Sequence, residues 1–204
     1  MATKLGIIAR AASRTGNGVV TSLDDGSEIA TLTAEHYEAI VEEYLTQHGW
    51  KFARWVEAMQ LTEETPEKPW AQLWRKPAEI LSLQYVVDAN AQRIDQEERD
   101  TDQGNCCAVL CEYEELFAVG THRADESRWP GDFAMGIQHR MEGVFYGGIA
   151  EQHDLAEKQD RKAELIIQRA RVRDQRASTA TDASEWDLTA ARNRRGAWDP
   201  RGYR

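Results

Sequence analysis

The sequence predicts a mainly α-helical protein with four helices and a small β-rich insertion between the second and the third. Apolar residues recur every three or four positions over residues 3–14, 27–47, 129–148 and 149–176, which is the period of an amphipathic helix. Short apolar runs bounded by polar stretches lie between residues 70 and 111 and favour strands. A chain of 204 residues that is 41% hydrophobic has enough apolar side chains for one main domain.

The first helix is predicted from one apolar stripe over residues 3–14. The stripe occupies positions i, i+3, i+4 and i+7, which are Leu5, Ile8, Ala9 and Ala12. We expect the helix to end at the segment Gly16-Asn17-Gly18, because glycine is common just past helix ends.

The second helix, over residues 27–47, has the clearest periodicity. We expect it to begin at a capping box formed by Asp25 and Glu28. Apolar positions that include Ile40 and Tyr44 recur at helical spacing, whereas five glutamates keep mostly to the other side. This pattern is typical of an amphipathic helix that packs on a core.

The middle of the chain carries mixed signals. Residues 50–55 alternate large apolar and basic side chains, which predicts an extended or irregular segment. Residues 61–70 are rich in Thr, Pro and charge and are predicted to form a loop. We expect short strands in the apolar runs 81–87 and 106–111, with the polar stretch 88–105 between them.

The last two helices follow this region. The third is predicted to begin at Trp129-Pro130 and to stop at Gly147-Gly148, and its Gly143 would allow close approach of another helix. The fourth, over residues 149–176, is apolar on one side and densely charged on the other. The side chains that we expect in the core are Ile40, Tyr44, Trp50, Phe52, Phe133, Ile137, Val144 and Ile166.

Composition limits the classes of function. The chain has 25 Lys and Arg residues against 35 Asp and Glu residues, a formal net charge of -10, which repels phosphate and argues against a whole-domain nucleic-acid binder. The first 20 residues hold only a short apolar patch interrupted by Arg10, which is too short for a signal-peptide core or a membrane span. We therefore expect a protein made in the cytosol, with no membrane partner.

The cysteines do not follow the pattern of a metal site. Cys106, Cys107 and Cys111 form one cluster, and no second pair of Cys or His lies at the spacing that zinc requires. Along a strand, Cys107 and Cys111 would face one side and Cys106 the other. We expect buried free thiols and neither a metal nor a cofactor.

The histidines do not suggest catalysis. A catalytic Cys–His pair needs a base oriented by a third group, and His122, His139 and His153 share no face in the predicted elements. His36 and His48 are separated by about 120° around a helix, so they are not a ligand pair. The sequence therefore predicts a protein that is not an enzyme.

Helical periodicity is lost after residue 176, and residues 179–204 form a polar segment with several aromatic and basic side chains. We favour an extended arm that orders on a protein surface. An unordered tail and a segment that stacks on single-stranded nucleic acid are the open alternatives. Trp and Arg are enriched at interface hot spots. The side chains expected to contact a partner are Trp186, Arg192, Arg194, Arg195, Trp198 and Tyr203.

Several segments, taken in order, resemble the head-to-tail adaptor proteins of short-tailed phages (podoviruses), also called tail tubular protein A. Residues 48–53, HGWKFA, resemble the family's HPWNFA turn after the second helix, with Gly and Lys where Pro and Asn are usual. Residues 127–134, SRWPGDFA, are similar to its WPxxFxxA opening of the third helix. The link VTSLDDGSE at 20–28 and the Pro-flanked segment 69–77 extend the resemblance over most of residues 3–178.

The resemblance implies an antiparallel bundle of about four helices, formed by residues 1–60 and 126–178. The insertion would be residues 61–125 and the extended C-terminal arm residues 179–204. It implies a structural protein of the virion tail, assembled in the host cytoplasm, that forms a dodecameric ring between the portal protein and the tail nozzle. DNA would pass through the lumen without specific binding, the arm would dock on the portal, and the insertion would face the nozzle or the tail fibres.

The residues alone leave one alternative function. The chain could be a helical nucleic-acid-binding or regulatory module that uses its basic and aromatic tail.

Overall fold

The computed structural model describes residues 2–101 and 104–176, so the predicted arm at 179–204, with its six proposed contact residues, lies outside the described residues. The helices are α1 Lys4–Arg14, α2 Glu28–Thr46, α3 Gly131–Gly148 and α4 His153–Arg176. The strands are β1 Arg54–Ala58, β2 Gln60–Leu61, β3 Gln72–Arg75, β4 Ile80–Asp88, β5 Arg93–Ile94, β6 Gln96–Thr101, β7 Gly104–Val109 and β8 Leu116–His122.

The predicted fold class, a mainly α-helical bundle with a small β-rich insertion, is wrong. Four helices are present, but the strands form two four-stranded antiparallel sheets, ordered β1-β8-β4-β5 and β2-β3-β7-β6. They begin at Arg54 and continue to His122. The described chain therefore combines a helical part with a substantial β part.

The polar stretch at 88–105 explains much of this error. It contains β5 and all of β6, whose sequence QEERDT has no apolar residue, yet β6 pairs with β7 from Gln96 to Thr101. An edge strand needs backbone partners on one side only, and its side chains can stay in water. Such a strand gives no alternating apolar signal.

The start of α2 also differs from the prediction. Ser27 is the N-cap, and its Oγ accepts a hydrogen bond from the N–H of Ala30 at 3.2 Å. The Asp25 carboxylate accepts instead from the N–H of Ser27 at 3.0 Å, which shapes the turn before the helix. The predicted capping box of Asp25 and Glu28 is therefore wrong, although the helix begins within one residue of the expected position.

Helix α3 contacts the other three helices. Glycines let α4 approach it closely, since a Cβ at Gly136 would lie 2.5 Å from Ile167 Cδ1 and one at Gly143 would overlap the Asp160 side chain. The sequence singled out Gly143 for such an approach but not Gly136. Small residues at a helix interface allow the two backbones to pack at short range.

The helical core is one cluster around α3. Of the side chains expected in the core, those buried in this cluster are Ile40, Tyr44, Trp50, Phe133 and Ile137, and those packed against it while partly exposed are Phe52 and Val144. Ile166 is partly exposed, whereas the neighbouring Ile167 is fully buried. The prediction of Ile166 as a core residue is therefore wrong, because the buried side of α4 is formed by Ala163, Ile167 and Ala170.

The β part has two smaller clusters. The larger one draws side chains from both sheets, namely Met59, Trp74, Ile80, Val86, Cys107, Val109, Leu116 and Ala118, and so packs between them. The smaller one comprises Leu73, Cys106 and Ala108, with Trp70 against it. Across residues 2–101 and 104–176, no helix combines the length and apolar character needed to cross a membrane.

Candidate assembly surfaces

Four aromatic rings join the end of α2 to the start of α3, and we call them the aromatic joint: Trp50, Phe52, Trp129 and Phe133. The centroid of the Phe133 ring lies 5.0 Å from the ring centroids of the other three residues, and Phe133 meets each of these rings edge to face. Trp50 Nε1 donates to the carbonyl of Tyr44 at 2.8 Å and Trp129 Nε1 donates to that of Ala124 at 3.0 Å. Both buried indole N–H groups are therefore satisfied.

The aromatic joint unites the two segments that carry the family resemblance. Residues 48–53 supply Trp50 and Phe52, and residues 127–134 supply Trp129 and Phe133. The segments are far apart in sequence but pack ring against ring. Their similarity to the family motifs therefore concerns residues with one shared structural role.

A second contact, which we call the α4 latch, fixes the end of α4 to the turn after α2. Asp174 Oδ2 lies 3.3 Å from His48 Nε2, and Asp174 Oδ1 accepts from the N–H of Lys51 at 3.3 Å. Lys51 Nζ donates to the backbone carbonyl of Asp174 at 2.6 Å, and Arg171 donates to the Gln47 side chain. These contacts fix the position of the C-terminal end of α4 relative to the turn after α2.

The outward side of α4 carries what we call the basic stripe: Lys162, Leu165, Arg169, Val172 and Arg176. The spacing 3, 4, 3, 4 is that of one face of a helix that pairs with another helix. Leu165 is 54% exposed and Val172 is 47% exposed, although both are apolar. Four of the five residues line an open groove on this helix. The basic stripe thus combines two exposed apolar side chains with three exposed basic ones on one face of a long helix.

The outward side of α2 is acidic, and its three residues Glu28, Glu35 and Glu42 form what we call the acidic row. They are seven positions apart, so they lie on one face of the helix. All three are exposed or partly exposed, and α2 contains no Lys or Arg. Glu38, on the edge of the same face, is already paired with Lys4 at 3.0 Å and Arg123 at 2.9 Å.

Strand β1 forms a further exposed edge. Trp55 is 43% exposed and Val56 is 54% exposed, and β1 pairs only with β8. The edge strand β6 of the other sheet is protected by its charges, and β5 is protected by its two-residue length. Among the described strands, β1 therefore offers the apolar edge best suited to contact with another protein.

The three cysteines are separated rather than gathered. Cys106 and Cys107 are buried on opposite faces of β7, as alternation along the strand predicts, whereas Cys111 lies beyond the strand and is exposed. The prediction that all three are buried is therefore wrong for Cys111. Burial raises the pKa of the Cys107 thiol to about 12, which keeps it protonated at neutral pH. A protonated thiol is a poor nucleophile.

The histidines are spread over the molecule. His122 Nδ1 is 2.8 Å from the carbonyl of Ala53, His48 belongs to the α4 latch, and His139 is buried on α3. His36 and His153 are exposed. In the portion that the structure describes, no three Cys, His, Asp or Glu side chains are grouped so that they could hold a metal ion.

Sequence reasoning missed a buried polar cluster on α3. Glu142 is 1% exposed; it accepts from Gln138 Nε2 at 2.8 Å and lies 2.8 Å from His139 Nδ1 and 3.5 Å from Arg14 Nε. Buried carboxylates need such partners. The cluster joins the end of α1 to α3 and needs no ligand to be satisfied. Its signal in the sequence is the presence of Gln138, His139 and Glu142 within the apolar pattern of α3.

Comparison with known proteins gives no relative, since no protein-family model matches this chain and the search of curated proteins finds no match. Function is therefore inferred from the motifs and the surfaces of the chain itself.

Proposed function

We propose that this protein is a structural subunit of the head-to-tail adaptor type found in short-tailed phages. In this proposal its copies form a dodecameric ring between the portal protein and the tail nozzle, and it has no enzymatic activity. It is assembled in the host cytoplasm and becomes part of the virion tail. DNA passes through the ring lumen without specific binding, which suits a net charge of -10.

The observation that carries the proposal is the aromatic joint. The two segments that resemble the family motifs, residues 48–53 and 127–134, supply all four of its rings. Matches that arise by chance in two distant segments have no reason to meet in one buried cluster. The joint also adjoins the α4 latch, so the motif segment 48–53 contacts the C-terminal end of α4 as well.

The exposed surfaces add support, because a subunit between a portal and a nozzle must contact several proteins at once. The basic stripe, the acidic row and the β1 edge lie on different elements and differ in chemistry. In the proposal, neighbouring copies use the helical surfaces, while the β part faces the nozzle or the tail fibres. The segment 179–204 docks on the portal.

Portal binding tests this proposal. The purified chain is expected to be monomeric or weakly oligomeric alone and to form rings, visible by electron microscopy, when mixed with the portal protein of the same particle. A chain that ends at residue 178 should lose portal binding but keep the circular dichroism spectrum and unfolding midpoint of the full chain. The triple variant Arg192→Ala, Arg194→Ala and Arg195→Ala should bind more weakly than the full chain.

Two results would contradict the proposal in different ways. Unchanged portal binding after truncation would remove the role assigned to Trp186, Trp198, Tyr203 and the three arginines. Absence of rings on the portal under all conditions would reject the adaptor function itself.

A second candidate, the nucleic-acid-binding module, is favoured by one observation. Helix α4 exposes Lys162, Arg169 and Arg176 in a row, and the arginine-containing segment 179–204 follows it in the sequence. Filter binding of single-stranded DNA over a series of salt concentrations separates the two. Genuine phosphate contacts require a steep loss of affinity with salt, whereas an adaptor should bind weakly at every concentration.

A further inference from the structure

We infer that the basic stripe of one copy binds the acidic row of the next copy, and that this contact between α4 and α2 closes the ring. The inference rests on the proposed function and deepens it by naming the two surfaces. A ring needs a heterologous interface, in which two different and complementary patches lie on each subunit.

The spacing of the charges on the two helices matches. Lys162, Arg169 and Arg176 are seven positions apart, as are Glu28, Glu35 and Glu42. At a rise of about 1.5 Å per residue, neighbouring charges in each set are about 10 Å apart and each set spans about 21 Å. Two helices packed side by side can therefore bring all three bases opposite all three acids.

These charges are available for a partner. Lys162, Arg169 and Arg176 form no ion pair with any residue in 2–101 or 104–176. On α2, Glu28 and Glu42 form no ion pair with the described residues, and the Glu35 carboxylate lies 4.0 Å from His36 Nε2. Other charges near the two surfaces are occupied, since Arg173 pairs with Asp132 at 2.7 Å and Glu38 with Lys4 and Arg123.

The shapes of the two faces are also compatible. Leu165 and Val172 project between the three bases of the basic stripe. Between the three acids of α2 the face carries the small residues Thr31 and Ala39, with Leu32 and Glu38 at its two edges. Large apolar side chains opposite small ones allow helices to approach, and burial of Leu165 and Val172 supplies the non-directional part of the attraction. The charges then select the partner and the register.

The two faces cannot meet within one copy. Ile167 is the side chain by which α4 packs on Gly136 of α3, and Arg169 lies about 200° further round the helix at 100° per residue. On α2, the buried Tyr37 is likewise about 200° from Glu35. Both charged faces therefore point away from the core, and a second copy is the occupant that offers the matching charge pattern.

Cysteine cross-linking tests the contact. In a Cys111→Ser background, which removes the exposed native thiol, Glu35→Cys and Arg169→Cys are made in separate chains. A mixture of the two, held at high concentration under mild oxidation, should form disulfide-linked dimers at least about tenfold faster than either variant alone. A pairing of Arg169→Cys with Glu64→Cys, an exposed position outside both surfaces, is the matched control.

Charge reversal tests the electrostatic part. Arg169→Glu and Glu35→Arg, each alone, should lower the number of rings formed on the portal protein, counted by electron microscopy, at least about tenfold, because like charges then face each other across the contact. Both changes in one chain should restore most of the rings. The controls are Arg10→Glu on α1 and Glu64→Arg, which have the same charge changes at exposed positions away from both surfaces and should have little effect.

The outcomes separate this inference from the proposed function. Suppose that rings form on the portal, but the Glu35→Cys and Arg169→Cys mixture cross-links no faster than the control, or the double charge reversal does not restore ring formation. Contact between α4 and α2 is then overturned, while the ring itself is not. A cross-link that forms best between two Arg169→Cys chains also overturns it, because the contact is then isologous. If no rings form on the portal, the proposed function fails first.

Discussion

The helical part and the β part of this protein hold their exposed surfaces in place by different means. In the helical part, one continuous apolar cluster includes side chains from all four helices and the aromatic joint. In the β part, the buried side chains are divided between an inter-sheet cluster and a smaller one around Cys106. The positions of α2 and α4 therefore depend on side-chain packing, whereas the β1 edge depends on main-chain pairing with β8.

This difference has a consequence for function. A single shared core couples the two charged faces, so a defect at the aromatic joint should disturb both of them. In the β part, backbone pairing joins the strands in addition to the inter-sheet cluster, so a defect there should stay more local.

The largest effect is expected at the aromatic joint. Phe133→Ala should lower the free energy of unfolding by about 3–5 kcal/mol, because the ring is fully buried and contacts three others. Urea unfolding followed by far-ultraviolet circular dichroism measures it. Phe52→Ala is the matched control. Because Phe52 is partly exposed, this substitution should lower the free energy of unfolding by less. Equal losses for the two variants would show that Phe133 is not the centre of the joint.

The next effect is expected between the two sheets. Leu116→Ala should lower the free energy of unfolding by about 2–5 kcal/mol, because Leu116 is 1% exposed in the inter-sheet cluster. Native-state thiol labelling supplies a local measurement. Cys111 should react quickly and Cys107 slowly in the wild type, and the substitution should speed Cys107. Leu110→Ala, at an exposed position, is the control and should leave the labelling of Cys107 slow. Fast labelling of Cys107 in the wild type would contradict its burial.

A smaller effect is expected where α3 meets α4. Gly136→Val should lower the free energy of unfolding by about 1–3 kcal/mol. The added Cβ would lie 2.5 Å from Ile167 Cδ1 and would push α4 away from α3. Thermal unfolding measures the loss. Gly131→Val is the matched control, because an added Cβ there meets no atom within 4 Å. If both variants are equally stable, the two helices do not depend on the close approach at Gly136.

The α4 latch should contribute less again. Asp174→Ala removes the contacts of the Asp174 carboxylate with His48 and with the N–H of Lys51. It should lower the free energy of unfolding by about 0.5–1.5 kcal/mol. Hydrogen exchange should show faster opening at the C-terminal end of α4, with little change in the β part. Gln175→Ala, at the next and exposed position, should leave exchange unaltered. Uniformly faster exchange over the whole chain would argue against a local latch.

An effect of similar size is expected at alkaline pH, and it involves both the helical part and the β part. Burial raises the pKa of Tyr44 in the helical part and that of Cys107 in the β part to about 12, from ordinary values of 10.0 and 9.0. A raised pKa favours the protonated form in the fold, so this stability is complete below the ordinary pKa and is lost as pH rises toward 12. Unfolding at pH 8 and pH 10 measures it.

Two variants assign the alkaline loss to its source. Cys107→Ala should reduce the loss of stability between pH 8 and pH 10, because the Cys107 thiol begins to titrate first in the unfolded chain. Tyr44→Phe should reduce it only at higher pH. An unchanged pH dependence in Cys107→Ala would contradict the raised pKa of that thiol.

Parts of the fold and of the surfaces were predictable. Apolar residues such as Ile40 and Tyr44 recur with the helical period, so α2 was placed within one residue at each end. The charge pattern of α4 was equally visible. The α4 latch was not, because Asp174 and His48 are distant in sequence and their meeting depends on how α3 spaces the other helices.

The sequence by itself determined the four helices, because helical periodicity and charge are local properties of a few turns. Only the tertiary structure decided that the β part is two sheets, since β6 has polar side chains and is held by backbone pairing with a distant segment. Only it decided which of the adjacent apolar residues Ile166 and Ile167 is fully buried: it is Ile167, which packs on Gly136 of α3. This orientation of α4 leaves Leu165, Arg169 and Val172 exposed, on the face to which we propose that a second copy binds.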